Sequence, residues 1–197
     1  ARRIEMILDG LPKEKAVLVL FPSYAIQKEV SKRVNITDRR VIVEHKRTRI
    51  DEVKSFLELN KGAAIFSVAG GKLAEGIDYR IDQETILQAV IVAGLPFPEY
   101  SIVLRRKQDY FQERFGERFV AVFLTTIAPM VRAVLQAAGR LIRSEEDKGI
   151  VFILDRRFSR YSSYFPRVPW QTYEPYRHEY MLRRLLSEAT YFLRPRD

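Results

Sequence analysis

KAVLVLF, residues 15–21, is a short unbroken run of Ala, Val, Leu and Phe after one lysine, closed by Pro22 and Ser23. A strand with one wet face alternates apolar and polar residues. One buried on both faces does not, so this run predicts an inner strand of a parallel sheet. The same design recurs in VIVE at 41–44, AAIFSV at 63–68, AVIVAG at 89–94 and IVFILD at 150–155. Helical patterns fill the intervals: Tyr24 to Val34, Arg49 to Leu59, Ser101 to Phe115, and a long stretch from Glu117 to Arg143. Alternation of strand and helix implies right-handed crossovers, hence an α/β fold with a parallel sheet and helices on both faces. In such sheets the working loops leave the carboxyl ends of strands. Four of these loops stand out: FPSY, EHKRTR, AGGKLAEGIDY and DRRF.

Outside this alternation, RRIEMILDGL near the start reads as an amphipathic helix. Past Tyr161, SSYFPRVPWQTYEPYRHEY is rich in aromatics, Pro and Arg, and a final helix is expected from about Tyr176 to Phe192. The whole chain, 1–197, is expected to be one domain with its core at about 10–160 and residues 161–197 packed on it as a tail. Trp170, Tyr173, Tyr176 and Tyr180 offer stacking faces, but the proline spacing favours a clamp over the domain surface.

Of the 197 residues 47% are apolar, enough to bury a sizeable core. Zero cysteines exclude disulfides, thiolate nucleophiles and iron–sulfur ligation within this chain, and two separate histidines, His45 and His178, give no transition-metal cluster. No run approaches eighteen consecutive apolar residues and no secretory pattern opens the chain, so no membrane role is expected and a cytoplasmic, intracellular location is. Thirty-four Lys and Arg against twenty-five Asp and Glu give +9, which favours an anionic partner such as nucleic acid and also serves solubility.

QAAGRLIRSEEDKG, residues 136–149, sharpens this. At about 100° per residue, Gln136, Gly139, Arg140 and Arg143 share one face of a helix, joined by Arg132 a turn earlier. Val131, Val134, Leu135, Ala138, Leu141 and Ile142 take the opposite, sheet-facing side. Guanidinium groups present a planar donor fork that matches phosphate oxygens. The alternative is a solvated basic face with Arg140 and Arg143 paired to Glu145 or Glu146; the acidic run 145–147 itself reads as a solvated turn. The loop AGGKLAEGID supplies glycines through which backbone amides can approach a ligand, and Asp78 can accept from a ribose hydroxyl or a neighbouring Arg. It is not a Walker A loop: Leu73 follows Lys72, and Phe66 stands five residues before Gly71. Arginines suited to a phosphate, without a loop to hold a triphosphate, describe half a nucleotide site.

QAAGRLIR resembles motif VI of superfamily 2 helicases, and GGKLAEGIDY resembles motif V of their XPD and DinG branch. FPSY, GLPFP before a long helix, and IVFILDRRF followed by PRVPW are similar to further segments of that branch, so the resemblance covers nearly the whole chain. It departs at Ala74, where Ser is usual, and at Tyr79, where Phe is usual. The resemblance implies a RecA-like second motor domain of an XPD-type DNA helicase, with an archaeal source expected. It also implies ATP and Mg²⁺ shared with an N-terminal first motor domain, and an iron–sulfur cluster only in that absent part. By the same analogy Arg140 and Arg143 act as arginine fingers, Gln136 positions the same site beside Gly139, and Asp78, Glu75 and Gly76 couple nucleotide to DNA.

Single-stranded DNA is the expected partner, with repair-complex proteins as further candidates and 5′ to 3′ movement implied by the family. Ser23, Tyr24, Arg47, Thr48, Lys72 and Arg105 are candidate strand contacts, since they lie at or just after the carboxyl ends of strands and mix phosphate donors with an aromatic face. Each also has a purely structural reading, and Arg157 reads as structural. No metal ligands are expected, and this chain alone is expected to be inactive. The competing reading is a non-catalytic nucleic-acid-binding or regulatory module with a helicase-like fold; an RNA-directed helicase domain is a third.

Overall fold

The computed structural model describes residues 1–82, 84–145, 147–165 and 179–194. Among the described residues there are seven strands: β1 Ala16–Phe21, β2 Val41–Val43, β3 Ala64–Val68, β4 Arg80–Ile81, β5 Glu84–Thr85, β6 Leu87–Val92 and β7 Ile150–Ile153. Five of them form one parallel sheet in the order β2-β3-β1-β6-β7, and β4 and β5 make a separate antiparallel pair. Every residue of β1, β3 and β6 is buried, as their unbroken apolar runs predict, whereas β2 and β7, expected to share that design, are edge strands with partly exposed residues.

The helices are α1 Arg2–Gly10, α2 Tyr24–Ser31, α3 Ile50–Leu59, α4 Lys72–Glu75, α5 Ile102–Phe115, α6 Arg118–Val122, α7 Ala128–Ala138, α8 Phe158–Tyr161 and α9 Glu179–Leu193. Successive residues of a strand point to opposite faces, so the sheet divides its side chains between two cores. Leu18, Leu20, Ile65, Val90 and Val92 pack with Val53 and Leu57 of α3, Leu73 of α4, and Met130 and Val134 of α7. Val17, Val19, Phe21, Phe66 and Ile91 pack with Ile7 and Leu8 of α1 and with Leu182 and Leu186 of α9. The segment expected to hold Trp170, Tyr173 and Tyr176 lies outside the described residues; Tyr180 is exposed on α9.

The single helix expected from Glu117 to Arg143 is corrected at two points. Helical backbone runs from Arg118 to Ala138, but Phe123–Ile127 is a π-turn in which the Ala128 N–H donates to the Phe123 carbonyl. Pro129 accounts for the widening, because its ring opposes the carbonyl four residues earlier in a regular helix, and Thr125 Oγ1 bonds the Ala121 carbonyl at 2.7 Å. The helix then stops at Ala138: the Arg140 and Leu141 amides reach back three residues, to Ala137 and Ala138. Leu141 turns into the core over Gly149, where an added Cβ would lie 2.7 Å from Leu141 Cβ, and Ile142, expected on the sheet side, is exposed. By length and composition Arg118–Ala138 is apolar enough to cross a membrane; here Ala121, Ile127, Met130, Val134 and Ala137 of it are buried within the fold.

Candidate functional site

The loop after β3 is built around a buried acid that the sequence reading left inside a strand. Glu44, directly after β2, is fully buried; its Oε2 accepts from Ser67 Oγ at 2.7 Å and the Val68 N–H at 3.2 Å, and its Oε1 accepts from the Leu73 N–H at 3.4 Å. Gly71 lies against the same carboxylate: a Cβ there would stand 2.5 and 2.6 Å from its oxygens, so only glycine fits. Tyr79, deeply buried, donates its hydroxyl to the Leu73 carbonyl at 2.7 Å. Burial first, and the Glu44 charge second, push the Tyr79 hydroxyl well above its ordinary pKa; the same two causes raise Tyr24.

Two groups of expected site residues come together. Near Glu44, Thr48 Oγ1 accepts from the His45 N–H at 2.7 Å, and Lys72 Nζ donates to the Thr48 carbonyl at 2.9 Å. Ser23 caps α2 by accepting from the Ile26 N–H at 3.3 Å, Tyr24 opens that helix half-buried, and Arg47 is exposed. Arg105 is exposed in the first turn of α5 and, among the described residues, joins neither group by a hydrogen bond or ion pair.

The second group surrounds Asp78. Arg80 donates to Asp78 Oδ2 from Nε at 2.9 Å and Nη2 at 2.6 Å, which holds the carboxyl below the usual carboxylate range against partial burial; the charges of Arg143 and Arg140 add to this. Arg140 donates to the carbonyls of Ile77, at 3.2 Å, and Glu75, so it stitches the turn after α7 to the loop after β3. Gly76 closes α4 with its N–H on the Lys72 carbonyl, and the Glu75 side chain is exposed.

The helical face expected to align Gln136, Gly139, Arg140 and Arg143 therefore does not persist beyond Ala138. Gln136 stays on α7 and opens, with Arg132, on a shallow apolar groove lined by Phe123, Val131, Leu135 and Tyr164. Gly139 ends the helix, and Arg140 and Arg143 follow in a turn. Asp147, read as part of a solvated acidic run, shapes that turn: its Oδ2 accepts from the Arg143 N–H at 2.7 Å and the Ser144 N–H at 2.8 Å. The Arg143 guanidinium is exposed and, among the described residues, has no hydrogen-bond or ion-pair partner; Glu146, the other expected partner, lies outside them. A guanidinium presents a planar donor fork of the kind that matches phosphate or carboxylate oxygens.

Behind the arginine turn, Asp155 accepts from the Leu95 N–H at 2.9 Å and from Arg157 through its backbone and guanidinium, while Arg157 stacks 4.9 Å over Phe97. This agrees with the structural reading of Arg157. The signal that could have found Glu44 and Asp155 is an acid directly after an apolar strand run; for Asp147 it is an acid four residues past Arg143, where the helical periodicity of the sequence ends.

The family described as "Helicase C-terminal domain" matches residues 7–170. The ATP-dependent DNA helicase XPD of Sulfolobus acidocaldarius is 33% identical over 145 residues, covering 72% of this chain and 25% of that protein. The general transcription and DNA repair factor IIH helicase subunit XPD of Arabidopsis thaliana is 35% identical over 114 residues, covering 57% of this chain and 14% of that protein. A solved XPD helicase structure superposes with a TM-score of 0.67 at 28% identity, over 82% of this chain and 29% of that one. The chain thus spans about a quarter of the length of the Sulfolobus relative.

Proposed function

Because the chain belongs to the helicase C-terminal domain family in its XPD branch, with a RecA-like α/β fold, we propose that it is the second motor domain of an ATP-driven 5′ to 3′ single-stranded DNA translocase and DNA helicase with a role in DNA repair. The observation that carries this reading is the convergence of Arg140 and Arg143 on Asp78, where the loop after β3 meets the turn after α7. The residues present fit a nucleotide whose triphosphate and Mg²⁺ are held mainly by another domain: Arg143 offers an open guanidinium fork, and Asp78 an ionised acceptor.

Bound ATP supplies the hydrolysis that drives movement. In this chain, Asp147 fixes the backbone of Arg143 so that its fork can reach a γ-phosphate across a domain cleft. Arg140, seated on the carbonyls of Glu75 and Ile77, transmits the position of that turn to the loop carrying Lys72, Glu75 and Gly76. That loop and the one bearing Arg47 and Thr48 then form part of the DNA track, with Ser23 and Tyr24 beside them. Repair-complex proteins are further partners under this reading, and an iron–sulfur cluster would belong to the first motor domain, since this chain has no cysteine.

The test compares ATP hydrolysis, with and without single-stranded DNA, in the full-length protein and its Arg143→Ala variant. The expected result is a loss of roughly 10³-fold in DNA-stimulated turnover with DNA binding nearly retained. Unchanged turnover would overturn the finger assignment. Binding of DNA by a wild-type protein that hydrolyses nothing would favour a binding module.

A further inference from the structure

Glu44 is the only acidic residue among the described ones with a fully buried side chain, and no cation pairs with it there. Removing a carboxylate from water costs several kcal/mol, which its three hydrogen-bond donors only partly offset. A neutral side chain of similar volume would be the cheaper filling. What the carboxylate achieves is geometric: its two oxygens hold Ser67, Val68 and Leu73 on three sides, and Gly71 closes onto them with no room for a Cβ. Leu73 is gripped from both ends, its N–H by Glu44 and its carbonyl by Tyr79. A second tether runs parallel, from Lys72 Nζ to the Thr48 carbonyl, only four residues beyond Glu44. The loops following β2 and β3 are thereby made one rigid body.

We propose that Glu44 is a positioning residue: it locks the loop bearing Lys72, Glu75, Gly76 and Asp78 to the loop bearing Arg47 and Thr48, so that engagement of the strand is registered at the phosphate side. This rests on the helicase reading for its activity arm, though its structural arm stands alone. Glu44 touches neither ligand; it acts through the backbone of residues 67–73.

The test is Glu44→Gln in the full-length protein. The shape is kept, but one oxygen becomes an NH₂ that must face either the Leu73 N–H or the Val68 N–H and Ser67 hydroxyl. Amide hydrogen exchange should accelerate about tenfold or more at Leu73 or Val68, whichever faces the new NH₂, the equivalent of one lost hydrogen bond to a charged group. The DNA concentration for half-maximal stimulation of hydrolysis should rise by a similar factor, with turnover at saturating DNA largely recovered. Ser67→Ala, which leaves the Leu73 tether intact, should shift either quantity far less. Should Glu44→Gln not fold, Glu44→Asp keeps the charge but falls one methylene short, and an acceleration at Leu73 is again expected. Unchanged exchange at both Leu73 and Val68 overturns the proposal. So does a loss confined to thermal stability with an unmoved half-maximal DNA concentration, which would make Glu44 a fold residue only. If the wild type shows no DNA-stimulated hydrolysis, the helicase reading falls, and exchange at Leu73 and Val68 by itself decides whether Glu44 locks the loops.

Discussion

Arg140 and Arg143, three residues apart in one turn, are committed differently. Arg140 has spent its guanidinium on two carbonyls of its own chain, whereas Arg143 has only its backbone tied down. Arg140→Ala should therefore cost stability as well as turnover, about 1–3 kcal/mol from the lost charged hydrogen bonds, read as a lower urea midpoint. Arg143→Ala should leave that midpoint in place. Equal midpoints for the two variants would contradict the stitching role of Arg140. Gly71→Ala is the second residue-scale case: the new methyl meets a buried carboxylate and the Val68 carbonyl at 2.7 Å, and overpacking of this kind costs about 1–3 kcal/mol. An unaltered midpoint would mean that Glu44 can retreat. The sequence already pointed to the loop glycines as a site of close approach, but to a ligand; the structure gives the partner of Gly71 as an acid just past another strand, which no local spacing encodes.

Elements were legible where burial alone defines them. β1, β3 and β6 are buried on both faces, so a continuous apolar run is their complete description, and Ser101 marked the start of α5 by accepting from the Leu104 N–H at 3.1 Å. The two-residue strands β4 and β5 carry too little pattern to read. The end of α7 was not legible either, because helical periodicity in QAAGRLIR continues through Arg143; what breaks it is Leu141 dropping onto Gly149, a contact between residues eight apart and set by the sheet. At β7 the coupling of Asp155 to the Leu95 amide and Arg157 joins two strand ends. Burial would raise its pKa, but Arg157 and the two amides outweigh it, so the carboxyl titrates below its ordinary value. A depressed carboxylate stabilises the fold above its unfolded pKa and loses that contribution as pH falls through the folded value. Asp155→Asn should thus cost about 1–3 kcal/mol near pH 7, and the gap to wild type should close progressively below about pH 4 in urea titrations. A gap independent of pH would remove the charge from the explanation.

At the scale of the whole molecule, the end of the sheet opposite the arginines is held by Arg39. Its buried guanidinium donates to the carbonyls of Leu8, Leu11, Pro12, Lys15 and Gly62, drawing the α1–β1 connection and the turn before β3 onto one side chain. Burial lowers its pKa, and the nearby charges of Asp38, Glu14 and Asp9 oppose that. Arg39→Met would strand several of these carbonyls and should lower stability by at least about 3 kcal/mol while leaving the nucleotide affinity of the full protein unchanged, as equilibrium unfolding and a nucleotide titration would report. In the sequence Arg39 was one basic residue among many; only the fold makes it a hub.

The Arg39 hub thus lies at one end of the strands and the arginine turn at the other. The packing of α9 on α1 adds a topological property. The two helices run side by side in the same direction, with Arg2 on Glu179 at 2.8 Å at one end and Thr190 Oγ1 on the Gly10 carbonyl at 3.0 Å at the other. Parallel pairing puts the start of α1 and the end of α9 about the 15 residues of α9 apart, roughly 22 Å at 1.5 Å per residue. The two helices therefore cover one face of the sheet as a single slab, and a change that frees α9 would bare Leu182 and Leu186 and open the cover beside Ile7 and Leu8.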